Sequence, residues 1–461
     1  MKFFRDFFTE YEGKVVSLQS YFLIKIENML LRIEIGNFLS FYNNVVFDMF
    51  PNPKREHLQS HILNQKVPLL KQAAIYGENG AGKSNFVMAF VFLKQFVKNS
   101  NFLSQIDLER FKFQLSEKTS SPINITIEFN QNDKYYIYQL QINSQITERF
   151  YKSGIGQQEN TLIFERNGID LKSELVSNAE SSKQLLQKNK LSSVLSLNKQ
   201  FPILSPCEEL SDINNWFNSL EIVTINSDIP FLIGLLSRNR DIMDFANEVL
   251  QNVGITSSLS IKKTSLEKWL QHQNNAEKIK DFIDKSNINE STSLSLSNHN
   301  RNEYDFTLDK GSKIVQEFIF EQLGVNGYRK GMTIASQSDG TVRLLTLIPA
   351  FYKAMKQHGV VVIDEIENSM HPNLIYRMVE YFANNKTNGQ LIFTTHLTKF
   401  QNQQTLMRPD ELWMTEKFDG CTRMRSFNDF NIHHTMNIEK GYQEGRYGGV
   451  PTITRIVADE Q

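Results

Sequence analysis

Gly77-Glu78-Asn79-Gly80-Ala81-Gly82-Lys83-Ser84 sets glycines, a lysine and a hydroxyl in the order G-x-x-x-x-G-K-S. Glycines at these spacings let the backbone curl until successive N–H groups face one point, the geometry that cradles phosphate oxygens. Lys83 is expected to reach the β and γ oxygens of bound ATP as a point charge, and Ser84 to ligate Mg²⁺. Asn79 and Asn85 complete the set of loop residues expected around the nucleotide. AAIY before the loop reads as a strand and SNFVMAF after it as a helix, whose positive end faces the same anion.

A second chemical element lies in Val360-Val361-Val362-Ile363-Asp364-Glu365. Four β-branched apolar residues in a row describe a central strand of a parallel sheet, buried on both faces. The carboxylates stand at its C-terminal edge, where open α/β sheets bind ligands. Asp364 is expected to hold Mg²⁺, and Glu365 to polarise the attacking water as general base. Alone, such a run ending in two acids is as consistent with a structural strand; paired with the phosphate loop it points to hydrolysis. Thr394-Thr395-His396 ends the next apolar run, LIFTTH, 31 residues after Glu365 (396 minus 365). That distance fits one crossover helix between adjacent strands, which makes His396 a candidate γ-phosphate contact.

The elements that must position these groups occupy the first and last thirds of the chain. LLRIEIGNFLSF (30–41) alternates apolar and polar as a half-buried strand does. INITIEF, KYYIYQLQI and ITERFYK, with turns at Asn132-Asp133 and Asn143-Ser144, read as an antiparallel meander. LIFERNGIDL extends it through the hairpin pair Asn167-Gly168. Residues 175–330 are rich in Ser, Asn, Lys and Leu and mainly helical in period, with 286–303 expected to be a mobile loop. The α/β pattern returns after 331. The expected organisation is an N-terminal extension (1–28, an accessory helix), the first part of an ATPase head (29–174), a mainly helical insertion (175–330) and the second part of the head (331–461).

Ser336-Gln337-Ser338-Asp339-Gly340-Thr341 opens a helix 25 residues before Asp364 (364 minus 339). By itself this cluster is an ordinary helix cap. Ahead of the Asp-Glu strand it resembles the signature motif of ABC-type ATPases. With AAIYGENGAGKSN, LLRIEIGNFLSF, VVVIDEIENSMHP, LIFTTH and the tail NIEKGYQEGRYGGVP, it makes the chain resemble the RecF and SMC heads, and more closely the ABC-like AAA family ATPases of prokaryotic defence loci. The resemblance implies a P-loop NTPase fold of ABC-ATPase head type. It also implies that Ser338, Asp339 and Gly340 bind the γ-phosphate of nucleotide held by an opposite protomer, with Arg343 assisting. One loop and one signature per chain then require a head-to-tail dimer or larger homo-oligomer. The loop Glu367–His371 would face that partner, and Gln114 in FKFQL is the candidate for a polarising, metal-side glutamine. Families of this kind begin near the first strand, so residues 1–28 are a departure, with Met29 the expected ancestral start.

The resemblance further implies a phage-sensing ATPase that controls a separately encoded effector, as in systems of the PARIS, Septu or retron kind. The 65 residues after His396 (461 minus 396) are too few for a Toprim nuclease domain. The alternative is a RecF-like head that clamps DNA in repair or chromosome maintenance. Lys262-Lys263 and Lys278, Lys280 and Lys285 are interspersed with acids, which reads as a solvated helix face. Overall charge does not announce a nucleic-acid binder: Lys plus Arg total 50 against Asp plus Glu 51 over 461 residues. Two cysteines, Cys207 and Cys421, exclude a disulfide framework and a zinc site. With no apolar run long enough for a membrane span and no cleavage-site pattern, a cytoplasmic protein is expected.

Overall fold

The computed structural model describes residues 16–17 and 28–449, apart from 64, 117–120, 155–158, 226–229, 274, 287, 289–291, 298–302, 402–405, 431 and 433–435. Its contacts divide the chain into two units. The nucleotide-loop unit comprises residues 25–224, 353–367 and 375–461; the second comprises 1–24, 225–352 and 368–374.

In the nucleotide-loop unit, alternation of apolar and polar residues builds an antiparallel sheet. Its strand order is Asp170–Lys172, Thr161–Asn167, Ile146–Lys152, Lys134–Ile142, Ile123–Gln131, Asn28–Gly36 and Val45–Asp48. The second sheet runs Glu221–Val223, Val360–Ile363, Gln390–Thr394, Gln72–Gly77, Leu412–Phe418 and Cys421–Ser426. All neighbours in it are parallel except the last pair. Val360–Ile363 and Gln390–Thr394 are buried at every position, as strands covered on both faces must be. The helix Lys83–Lys98 packs its phenylalanines between the layers: Phe86 lies 5.0 Å from Phe47 and Phe92 lies 5.4 Å from Phe38, ring to ring. Edge-on contacts of this type suit the ring quadrupoles and account for part of the high phenylalanine content.

Gln390, fully buried, fastens the two sheets together. Its Oε1 accepts the Leu30 N–H at 2.6 Å, while its Nε2 donates to the carbonyls of Leu30 (3.1 Å) and Leu70 (3.0 Å).

The second unit is built on a six-stranded antiparallel sheet of order Val16–Ser17, Thr292–Ser297, Glu303–Asp309, Ser312–Leu323 and Ser258–Ser265, with Arg329–Thr333 also paired to Ser312–Leu323. Leu294, Phe306 and Val315 on one face pack with Leu266, Trp269 and Ile283 from the helices Leu266–Leu270 and Ala276–Lys285.

This differs from the mainly helical insertion expected at 175–330. Five strands of that sheet lie within 258–333, and the Ser/Asn-rich stretch expected to be a loop contains one of them, Thr292–Ser297. The alternation Ser293-Leu294-Ser295-Leu296 is a period-two signal that its polar composition conceals. Lys262 and Lys263 lie on a strand and pair with Glu317 and Asp309, in place of the expected helix face. The unit boundaries also differ. The helices Ala179–Lys188, Val194–Gln200 and Glu208–Ser219 belong with the nucleotide loop, because Trp216 packs on Phe129 with ring centroids 4.7 Å apart and the Val194 N–H bonds the buried Glu148. The accessory helix expected at 1–28 lies outside the described residues, save that Val16–Ser17 pairs as a strand. Among the described residues no helix is long and apolar enough to cross a membrane.

Candidate nucleotide site

The phosphate loop leaves the strand Gln72–Gly77 and enters the helix Lys83–Lys98. Two of its glycines are forced by crowding. A Cβ on Gly77 would lie 2.2 Å from Thr415 Oγ1, and one on Gly82, at φ +105°, would lie 2.1 Å from Thr422 Oγ1. Gly80, at φ +80°, faces open space. Thr422 and Ser40 brace the loop from behind: Thr422 N–H bonds the Ser40 carbonyl at 2.7 Å, and Thr422 Oγ1 lies 2.8 Å from the Ala81 carbonyl. Asn85, expected at the nucleotide, donates its Nδ2 to Ser40 Oγ at 2.7 Å and so anchors the helix start to this brace.

Lys83 is buried, with its ammonium bonded to the loop's own carbonyls at Gly77 (2.8 Å) and Glu78 (3.1 Å). Burial lowers its affinity for a proton, while Glu365, Asp364, Glu367 and Glu78 oppose that shift. Among the described residues no acceptor is bonded to the backbone N–H groups of Gly82, Lys83, Ser84 or Asn85, the unsatisfied first turn of the helix. A lysine held only by loop carbonyls, beside four free N–H donors at a positive helix end, is a donor set that fits a polyphosphate. Ser84 is half-buried on the same turn, and Asn79 and Gly80 are exposed at the loop tip.

Asp364 and Glu365 follow the strand Val360–Ile363, and His396 follows Gln390–Thr394. In the sheet order these strands lie next to each other, and Gln390–Thr394 lies next to the strand of the phosphate loop. All three run parallel, so the loop, both carboxylates and the histidine gather at one edge. Asp364 is buried, its Oδ1 taking a 2.7 Å bond from Thr394 Oγ1. Glu365 stands at φ +44°, a left-handed conformation rare for this residue. The His396 N–H bonds Glu367 Oε1 at 2.6 Å. Burial and the Lys83 charge hold the His396 ring below its ordinary protonation range, against Glu367 and Asp364.

Gln114 is exposed, and its Nε2 donates to the carbonyls of Glu109 (2.5 Å) and Lys112 (3.0 Å), which closes a short turn of its own segment. Ser338, Asp339 and Gly340 belong to the second unit. There Ser338 Oγ accepts the Thr341 N–H at 3.2 Å, an N-cap on the helix Asp339–Lys356. A Cβ on Gly340 would meet the Ser369 carbonyl at 2.7 Å, so the signature-like turn packs directly on the loop that follows the carboxylates. The tail lies against the phosphate strand: Tyr442 sits 5.7 Å from Tyr76, and burial together with Glu78 pushes its hydroxyl up to about 12. Sequence reasoning missed Ser40, Thr394, Thr415 and Thr422, all hydroxyl residues whose partners are remote in the chain.

Comparison with known proteins adds to this geometry. Among solved structures the chain is similar to the SMC head domain from Thermotoga maritima (11% identity, 86% of this chain and 98% of that one, TM-score 0.39). It is also similar to the SmcHead bound to the C-winged helix domain of ScpA (14%, 89% and 99%, 0.42). A third is the Smc head domain with an extended coiled coil bound to the C-terminal domain of ScpA, derived from Pyrococcus furiosus (13%, 91% and 99%, 0.40). No curated protein matches the chain. A family model described as "AAA domain, putative AbiEii toxin, Type IV TA system" matches residues 73–400, from the phosphate strand to beyond His396. With that match spanning well over half its length, this chain of P-loop α/β architecture belongs to the AAA-domain family so described.

Proposed function

We propose that this chain hydrolyses ATP at sites shared between protomers, and that its ATP-driven assembly senses phage and controls a separately encoded nuclease or toxin. The observation that carries the hydrolytic part is the gathering of Lys83, Asp364, Glu365 and His396 at one edge of three adjacent parallel strands. Lys83 would exchange its loop carbonyls for phosphate oxygens, and the free N–H groups of Gly82 to Asn85 would take the remaining ones. Mg²⁺ held by Ser84 and Asp364 would offset the charge that develops on the phosphates. Glu365 would hold the attacking water and accept its proton. His396, whose ring is held below its ordinary protonation range by burial and Lys83, would donate a ring N–H to the γ-phosphate.

Shared sites are supported by the signature-like turn at Ser338-Asp339-Gly340, whose Ser338 hydroxyl caps the start of its helix. The defence role is supported by the sequence resemblance to ATPases of defence loci and by membership of a family whose description names a toxin–antitoxin system. Mass photometry of Glu365→Gln tests the assembly. This variant should bind ATP yet hardly turn it over, and its mass should rise with ATP and Mg²⁺. A mass of one protomer with and without nucleotide overturns the shared-site reading.

A further inference from the structure

Two adjacent threonines at the end of the strand Gln390–Thr394 behave differently. Thr395 does what a threonine at a strand end commonly does, accepting a local bond from the Leu397 N–H at 3.0 Å. Thr394 reaches 30 residues back along the sequence. Its Oγ1 donates to Asp364 Oδ1 at 2.7 Å and accepts the Glu365 N–H at 2.7 Å. Its carbonyl takes the Ile366 N–H at 3.1 Å. One residue therefore fixes the rotamer of the first carboxylate and the backbone of the second. Thr394 is fully buried and Asp364 is 4% exposed, so water has no ready access to replace the hydroxyl. The Glu365 backbone at φ +44° needs such an anchor, because a strained conformation persists only where its surroundings determine it. Glu367 closes the other side of this clamp through the His396 N–H.

We propose that Thr394 is a positioning residue for hydrolysis, whose single hydroxyl aligns Asp364 and Glu365 together and ties them to the turn that carries His396. The inference rests on the ATPase reading above. Thr394 does not touch nucleotide; it acts through the two carboxylates.

Thr394→Val keeps the shape and removes the hydroxyl. The expected result is a fall in kcat of about 10- to 100-fold, the usual effect of misplacing reacting groups by a fraction of an ångström to an ångström. KM for ATP and the affinity for a non-hydrolysable analogue should change by less than about threefold, because the phosphate loop is untouched. Thr394→Ser, which retains the hydroxyl, should recover wild-type kcat to within about threefold. Valine at wild-type kcat, or valine and serine equally impaired, overturns the proposal. If the valine protein does not fold by circular dichroism, Thr394→Cys, with a weaker hydrogen-bonding sulfur, decides in its place: an unchanged kcat overturns the role. If the wild-type chain binds ATP but releases no phosphate, it is the ATPase reading that fails. The Thr394 inference is then read from the gain in melting temperature on adding Mg²⁺ to the ATP complex. That gain should shrink in Thr394→Val, and an unchanged gain overturns the proposal.

Discussion

At the scale of single residues, the phosphate loop is defined as much by what crowds it as by its own glycines. A methyl group at Gly82 would lie 2.1 Å from Thr422 Oγ1 and 2.8 Å from Ser40 Oγ, on a backbone at φ +105°. Gly82→Ala is therefore expected to displace the loop, weaken nucleotide binding at least about tenfold and destabilise the fold by about 1–3 kcal/mol. Titration with a fluorescent ATP analogue, alongside thermal unfolding, checks both. The glycine was legible because loop, lysine and hydroxyl sit within eight consecutive residues. Thr422 was not, since it stands 340 positions later (422 minus 82) and a threonine in TRMRS carries no local signal. The same holds for Thr415, which fills the space a Gly77 side chain would need. Asn85 was expected at the nucleotide on motif grounds; its side-chain amide is bonded to Ser40, and its backbone N–H is the part that stays open to a phosphate.

At the scale of elements, the strands with unbroken β-branched or alternating patterns were legible, because burial on two faces or one writes itself into residue order. Residues 258–333 were less so. Their strands mix Ser, Lys and Glu with apolar residues, and what covers their apolar face comes from two short helices rather than from a neighbouring repeat. The connection between the sheets of the nucleotide-loop unit was wholly hidden. Gln390 looks like a polar residue opening a strand, yet it imitates a backbone amide and satisfies both polar groups of Leu30 as well as the Leu70 carbonyl. Replacing it by leucine fills the same space and strands those groups in a dry interior. Gln390→Leu should cost about 2–5 kcal/mol, since each unsatisfied buried group is worth about 1–3 kcal/mol. Urea unfolding followed by tryptophan fluorescence measures this, and a loss below about 1 kcal/mol would mean the sheets are held by apolar packing alone.

At the scale of the whole molecule, shared sites make a prediction that no single chain can satisfy. A Ser338→Arg chain keeps its phosphate loop, and a Lys83→Ala chain keeps its signature-like turn. Each should be inactive alone, while their mixture should recover part of the wild-type phosphate release; absence of recovery at every ratio would count against the shared arrangement. The order of strands has another consequence, for the growing chain. The strand Gln72–Gly77 lies between Gln390–Thr394 and Leu412–Phe418, so neither of its edges has a partner until more than three hundred further residues have been made. Until then its apolar edges are a template for wrong pairing, as with any late-closing sheet. On the ribosome this strand is therefore expected to be the element most exposed to mispairing until its partners emerge. The phosphate loop acquires its Thr415 and Thr422 supports only after more than three hundred further residues have followed it, so its glycines are braced long after they are made.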